Sequence, residues 1–133
     1  MSCKNLIYTA QTTQAAVLAD GTIPLGTVVR RYGSCIDLNG NGIALGENGY
    51  YAVNTNVVVA AAAAGNISAT LLVNGAAYPG AAASATAVAA GDLVTLPISA
   101  VVRAFCCTGP AVLTLVLSAA GTVANAAVAV ERV

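Results

Sequence analysis

Four cysteines and five acids are the side chains of this 133-residue chain with most chemistry to offer: Cys3, Cys35, Cys106 and Cys107, and Asp20, Asp37, Glu47, Asp92 and Glu131. No His accompanies them, which excludes a His general base or a nucleophile activated by one. Each acid stands in or beside a turn or at a strand end, where a carboxylate ordinarily accepts from backbone N–H groups. Nothing in their spacing requires two on one cleft floor, as paired-carboxylate glycoside hydrolysis does. The chain therefore reads as non-enzymatic, with no catalytic residue and no cofactor.

Metal binding finds little support either. The vicinal Cys106–Cys107 pair does not readily bridge to itself, and without C-x-x-C spacing or His a zinc site is not indicated. Free Cys packs as a small hydrophobe. The alternative is a disulfide between Cys35 and either Cys106 or Cys107, within or between subunits, formed on exposure to an oxidising medium. Asp37, Asn39, Asn41 and Glu47 bring oxygen ligands into one glycine-rich stretch. They lack the acid density of a Ca²⁺ loop and read as a tight turn. Arg30 and Arg31 point to opposite faces of a strand, so at most one addresses any single partner.

These few polar groups are set in an unusual background. Charged residues make up 8% of the chain and hydrophobic ones 58%, mostly Ala and Val, with no Trp and zero formal net charge. A folded monomer of 13.0 kDa exposes roughly 6,300 Å² by surface scaling, or one charge per about 600 Å². That is sparse for a soluble monomer, and it implies a surface of small neutral groups largely covered by other subunits. No basic cluster exists beyond Arg30–Arg31, so no nucleic-acid partner is expected. The longest apolar run, residues 57–64, falls well short of the ~20 residues needed to span a bilayer as a helix. The opening MSCKNLIYTAQ has no apolar core of a secretory signal, so synthesis in the cytoplasm is expected.

The elements that position these residues are strands. Ala-rich stretches are interleaved with Val, Thr, Gly and Asn at a period near two. Asp20–Gly21, Asn39–Gly40, Asn41–Gly42, Asn48–Gly49, Asn74–Gly75 and Gly91–Asp92 supply turns, because these residues accept positive φ. The pattern predicts strands over 6–12, 22–31, 36–38, 43–45, 50–61, 67–73, 76–87, 93–103, 112–118 and 123–131. About ten strands without a helix make a single all-β antiparallel sandwich or barrel. Leu113, Leu115 and Leu117 alternate with Val112, Thr114 and Val116, so this strand is apolar on both faces over part of its length. Two such faces call for a second covering layer, most simply another subunit.

The order GYYAVNTNVVV, then LLVNGAAYPG, then GDLVTLPISAVV, then two closing apolar strands resembles the jelly roll of the tumour necrosis factor and complement globular-head superfamily, over about residues 22–130. NLIYTAQTTQ, GTIPLGTVVRRYG, RAFCC and VANAAVAVERV are further similar to small virion surface proteins, head fibres or capsid decorations, of tailed phages of gut Firmicutes. Spore-surface filament tips of related bacteria share that fold. The chain departs from the superfamily in having only five Tyr and one Phe, where the superfamily's cores and threefold axes are rich in aromatics.

The resemblance implies a homotrimer with an apolar threefold contact. Tyr51 and Val53, Leu113 and Leu115, and Val128 and Val130 are expected to line it, each pair sharing one strand face. Val112, on the opposite face from Leu113, marks the alternative. The expected organisation is an N-terminal arm over 1–14 and a jelly-roll domain over 15–133. In the arm, Leu6, Ile7 and Tyr8 are expected to attach, by pairing with a neighbouring subunit's edge strand or by reaching the capsid. The implied function is a non-enzymatic structural protein on a bacteriophage virion surface, bound to the major capsid protein or another virion protein. The alternative is a receptor- or glycan-binding tip on a phage tail or spore filament. The five scattered Tyr and absent Trp give that alternative no obvious sugar platform.

Overall fold

The computed structural model describes residues 6–33, 36–46, 49–104 and 111–132. Among them are eleven strands and no helix: β1 (Leu6–Gln11), β2 (Ala15–Val17), β3 (Thr27–Tyr32), β4 (Ile36–Asn39), β5 (Gly42–Leu45), β6 (Gly49–Ala61), β7 (Gly65–Val73), β8 (Ala76–Ala87), β9 (Leu93–Ala104), β10 (Ala111–Leu117) and β11 (Gly121–Arg132). The first sheet runs β3-β1-β11-β6-β9, with β2 also paired to β11, and the second runs β4-β5-β10-β7-β8. Every pairing is antiparallel. The architecture is the expected all-β jelly-roll sandwich.

Alternation decides what lies between the sheets. Along β6, Tyr51, Val53, Thr55, Val57, Val59 and Ala61 are buried, while Tyr50, Ala52, Asn54, Asn56, Val58 and Ala60 face outward and are exposed or half-buried. Successive side chains of a strand point to opposite faces, so one in-facing set per strand builds the core. Ile7, Leu96, Leu115 and Val130 contribute from β1, β9, β10 and β11, at about 1.5–3 kcal/mol for each large side chain buried. Asn74 and Gly75 both adopt positive φ, 52° and 85°, as the two-residue hairpin turn between β7 and β8 requires.

Three departures from the sequence reading have local causes. The strand expected from residue 22 begins only at Thr27, because residues 22–26 stitch the two sheets together. Thr22 bridges to Val116 and the Ile23 N–H donates to the Leu115 carbonyl at 2.7 Å, both in the second sheet. Pro24 then withholds a donor, and Gly26 turns the chain into the first sheet at φ +78°. A Cβ there would lie 2.0 Å from the Ala10 carbonyl oxygen. The short β2 escaped notice because three residues carry no readable alternation.

The third departure concerns the arm. Residues 6–11 are not an appendage to a domain beginning at residue 15. They form β1, hydrogen-bonded to β11 on one side and to β3 on the other, with Ile7 and Thr9 fully buried. The N-terminal segment is thus an interior strand of its own sheet, because its Ile7 and Thr9 side is needed in the core.

Thr9 and Thr55 flank Val128 in one register row, and their buried hydroxyls have no hydrogen-bond partner among the described residues. A buried hydroxyl without a partner costs about 1–3 kcal/mol. Thr55→Val is therefore expected to raise the unfolding free energy by up to about 1 kcal/mol in urea titration. Gly26→Ala, strained by both φ and contact, is expected to lower it by more than about 2 kcal/mol. Removing residues 2–14 takes out an interior strand, and circular dichroism should show loss of the cooperative thermal transition rather than a folded, armless domain.

Candidate functional site

Among the described residues no group of three His, Cys, Asp or Glu is placed to hold a metal. Asp37 is instead bonded to Arg31 in an exposed ion pair that ties β4 of the second sheet to β3 of the first. Asn39 opposes Gly42 across a tight turn in which Gly40 takes φ +62°. Asp92 caps a turn, its Oδ2 accepting from the Val88 and Ala89 N–H groups at 3.0 and 3.1 Å. These carboxylates serve local structure. Glu47 and all four cysteines, Cys3, Cys35, Cys106 and Cys107, with the bridge considered for the last three, lie outside the described residues.

The surface with something to offer is the outward face of the first sheet. Across the strands, Tyr32, Leu6, Glu131, Ala52 and Val101 share one register row. Arg30, Tyr8, Ala129, Asn54 and Ser99 share the next outward row, and Thr27, Ala10, Ala127, Asn56 and Pro97 the one after. Beyond these come Asn125, Val58 and Thr95, then Ala16, Thr122, Ala60 and Leu93. The central strands β11 and β6 thus present Ala, Thr, Asn and Val, short enough to let another backbone approach closely. Leu6, Tyr8, Tyr50, Leu93 and Val101 are large apolar groups left exposed around them.

Charge is confined to one part of this sheet. Arg30, Arg31, Arg103, Glu131 and Arg132 all fall in the rows between Tyr50 and Asn54, and the rows from Thr55 to Ala61 hold none. The polar groups in the middle are partly paired, the Ser99 hydroxyl donating to Asn54 Oδ1 at 2.9 Å. At the edge, the Arg103 guanidinium stacks over the Tyr50 ring, 5.4 Å from its centroid. The sandwich side at β8 and β9 is latched by the Tyr78 hydroxyl donating to the Val101 carbonyl at 2.6 Å.

The residues expected at a subunit contact sit elsewhere. Tyr51, Val53, Leu113, Leu115, Val128 and Val130 are all buried within the single chain, between its two sheets. Their side chains are taken up by the core of the single chain. Val112 lies on the opposite face, the outside of the second sheet, half-buried beside Ala44. Of the attachment residues, Ile7 is in the core, whereas Leu6 and Tyr8 stand on the outward face just described. Ala129, Asn54, Asn56 and Ser99, at the alternate positions, were not expected there because small and amide side chains carry no apolar signal. What could have flagged them is the missing charge along those alternate positions.

This chain folds like solved structures of very different sequence. It superposes on murine APRIL with a TM-score of 0.77 at 8% identity, over 98% of this chain and 100% of that one. The globular domain of zebrafish complement 1qA gives 0.70 at 8% identity, over 98% of each chain. The PRD1 vertex protein P5 gives 0.65 at 15% identity, over 97% and 96%. No protein-family model matches the sequence, and no curated protein does. The likeness establishes the jelly roll of these globular domains.

The reversal of faces is directly measurable. Leu115→Ala is expected to lower the unfolding free energy by about 2–5 kcal/mol. Thr86→Ala, on the exposed outer face of β8, should shift it by less than about 0.5 kcal/mol. Denaturant titration of both variants checks the assignment.

Proposed function

We propose that the chain is a non-enzymatic structural protein of a bacteriophage virion, a homotrimer that decorates the capsid or forms a head fibre. The observation that carries the reading is the outward face of the first sheet. It is broad, built of short neutral side chains and free of charge over half its length, with Leu6, Tyr8, Leu93 and Val101 exposed. Large apolar side chains left exposed around short neutral ones suit an interaction site, and close-packed small residues suit a permanent contact between copies.

The threefold arrangement follows from the superfamily resemblance, whose members are typically trimers. The virion setting is supported by the fold likeness to a viral vertex protein. The lack of chemistry in the described carboxylates, each tied into a turn, an ion pair or a strand end, fits a structural role. A capsid partner, most simply the major capsid protein, completes the reading. Display on the virion surface then follows.

Light scattering of the purified protein is expected to give a mass near three times 13.0 kDa. Ala127→Glu together with Ala129→Glu puts carboxylates into the middle of the face while leaving the core untouched. That variant should run as a folded monomer, because an unpaired charge inside a contact costs about 3–5 kcal/mol. Imaging of intact virions tests the location: many copies over the icosahedral head agree with decoration. A few copies on the tail would favour a receptor- or glycan-binding tip.

A further inference from the structure

The subunit has two chemically opposite ends. At one end of the strands lie Arg30, Arg31, Arg103 and Arg132 with Asp37 and Glu131, a net charge of +2 among the described residues. This end also carries exposed aromatic rings, Tyr32 at 67% and Tyr50 at 53%. At the other end four turns meet, joined by backbone bonds. Ala62 N–H donates to Ala120, Gly91 N–H to Ala61 and Asp20 N–H to Leu117. Its only charged residues among those described are Asp20 and Asp92, a net charge of −2.

That second end is otherwise apolar. Val88 is 84% exposed and Leu18 79%, beside exposed Ala62, Ala63 and Ala64. Between the 61–67 segment and Ala119–Ala120 lies an open, mainly apolar cleft of about 130 Å³. So one end offers aromatic and guanidinium groups, and the other an apolar cleft flanked by carboxylates. Their formal charges are equal and opposite.

We infer that these ends are complementary surfaces through which copies of this chain stack head to tail. The Tyr and Arg end of one copy seats on the apolar, acidic end of the next. Aromatic and Arg side chains are favoured anchors in such contacts, and opposed charge fixes which end meets which. Because the two surfaces differ the contact is heterologous, and because they lie at opposite ends of the strands it propagates into an open stack. The contact goes beyond the trimer reading: Leu18 and Val88 lie in turns outside the outward face of the first sheet, while Arg30, Tyr32 and Glu131 stand in the end rows of that face.

The test is sedimentation velocity and negative-stain microscopy of the purified full chain over a range of concentrations. The expected result is a ladder of species that lengthens with concentration. Val88→Asp and Asp20→Lys, both at exposed turn positions, should each weaken the association constant roughly tenfold or more. Leu18→Asp provides a second apolar-to-charge variant. Val88→Asp retains the Tyr and Arg end, so a substoichiometric amount should terminate and shorten wild-type stacks. A single particle size at every concentration overturns the inference. So do stacks indifferent to these variants, and so does a Val88→Asp protein that leaves wild-type stacks unchanged, the mark of a symmetric contact between like ends.

Discussion

The pairing of β11 with β6 is the constraint on which the rest depends. It runs from Gly121 opposite Ala61 to Arg132 opposite Tyr51, the full width of the first sheet, and β11 also carries β1 and β2 on its other edge. A slip of one residue would turn Val123, Ala126, Val128 and Val130 out of the core and bring Ala127, Ala129 and Glu131 in. Because β1 and β11 come from opposite parts of the chain, this sheet closes only when distant segments meet. Such topology folds slowly compared with locally connected folds.

That register also sets the outward face of the first sheet. With Val128 and Val130 committed inward, the outward positions of the same strands are Ala127, Ala129, Asn54 and Asn56, and a smooth, nearly neutral surface results. The core needs large apolar residues once per two positions. The outward face, if it meets another copy, needs only small groups and freedom from charge. Charge is scarce in the whole sequence, and in the first sheet it is concentrated at one end of the strands, which leaves the rest of that face to small neutral groups.

Much of the fold was legible because turn chemistry and alternation are local signals. The Asn74–Gly75 hairpin and the long strand GYYAVNTNVVVAA fall where periodicity puts them. The crossing at residues 22–26 was not legible, since it is set by which sheet Thr22 and Ile23 can reach. A strand over residues 6–12 was legible, but its partners were not: it pairs with β11 and β3 of its own chain rather than with a neighbour's edge. Tyr51, Val53, Leu113, Leu115, Val128 and Val130, expected at a subunit contact, are in-facing apolar side chains that a sandwich lean in aromatics uses in its own core. Periodicity gives two faces per strand, and only the second sheet tells which is inward.

The central claim is that the outward face of the first sheet is covered by other copies of the chain. Hydroxyl-radical footprinting read by mass spectrometry tests it most directly, comparing wild type with the folded Ala127→Glu, Ala129→Glu double variant. The account predicts that Tyr8 and Val101 are strongly shielded in the wild type and freely modified in the variant, while Leu72 and Val116 on the outside of the second sheet are modified alike in both. Equal modification of Tyr8 and Val101 in the two proteins would mean that this face is open to water, and would contradict the account.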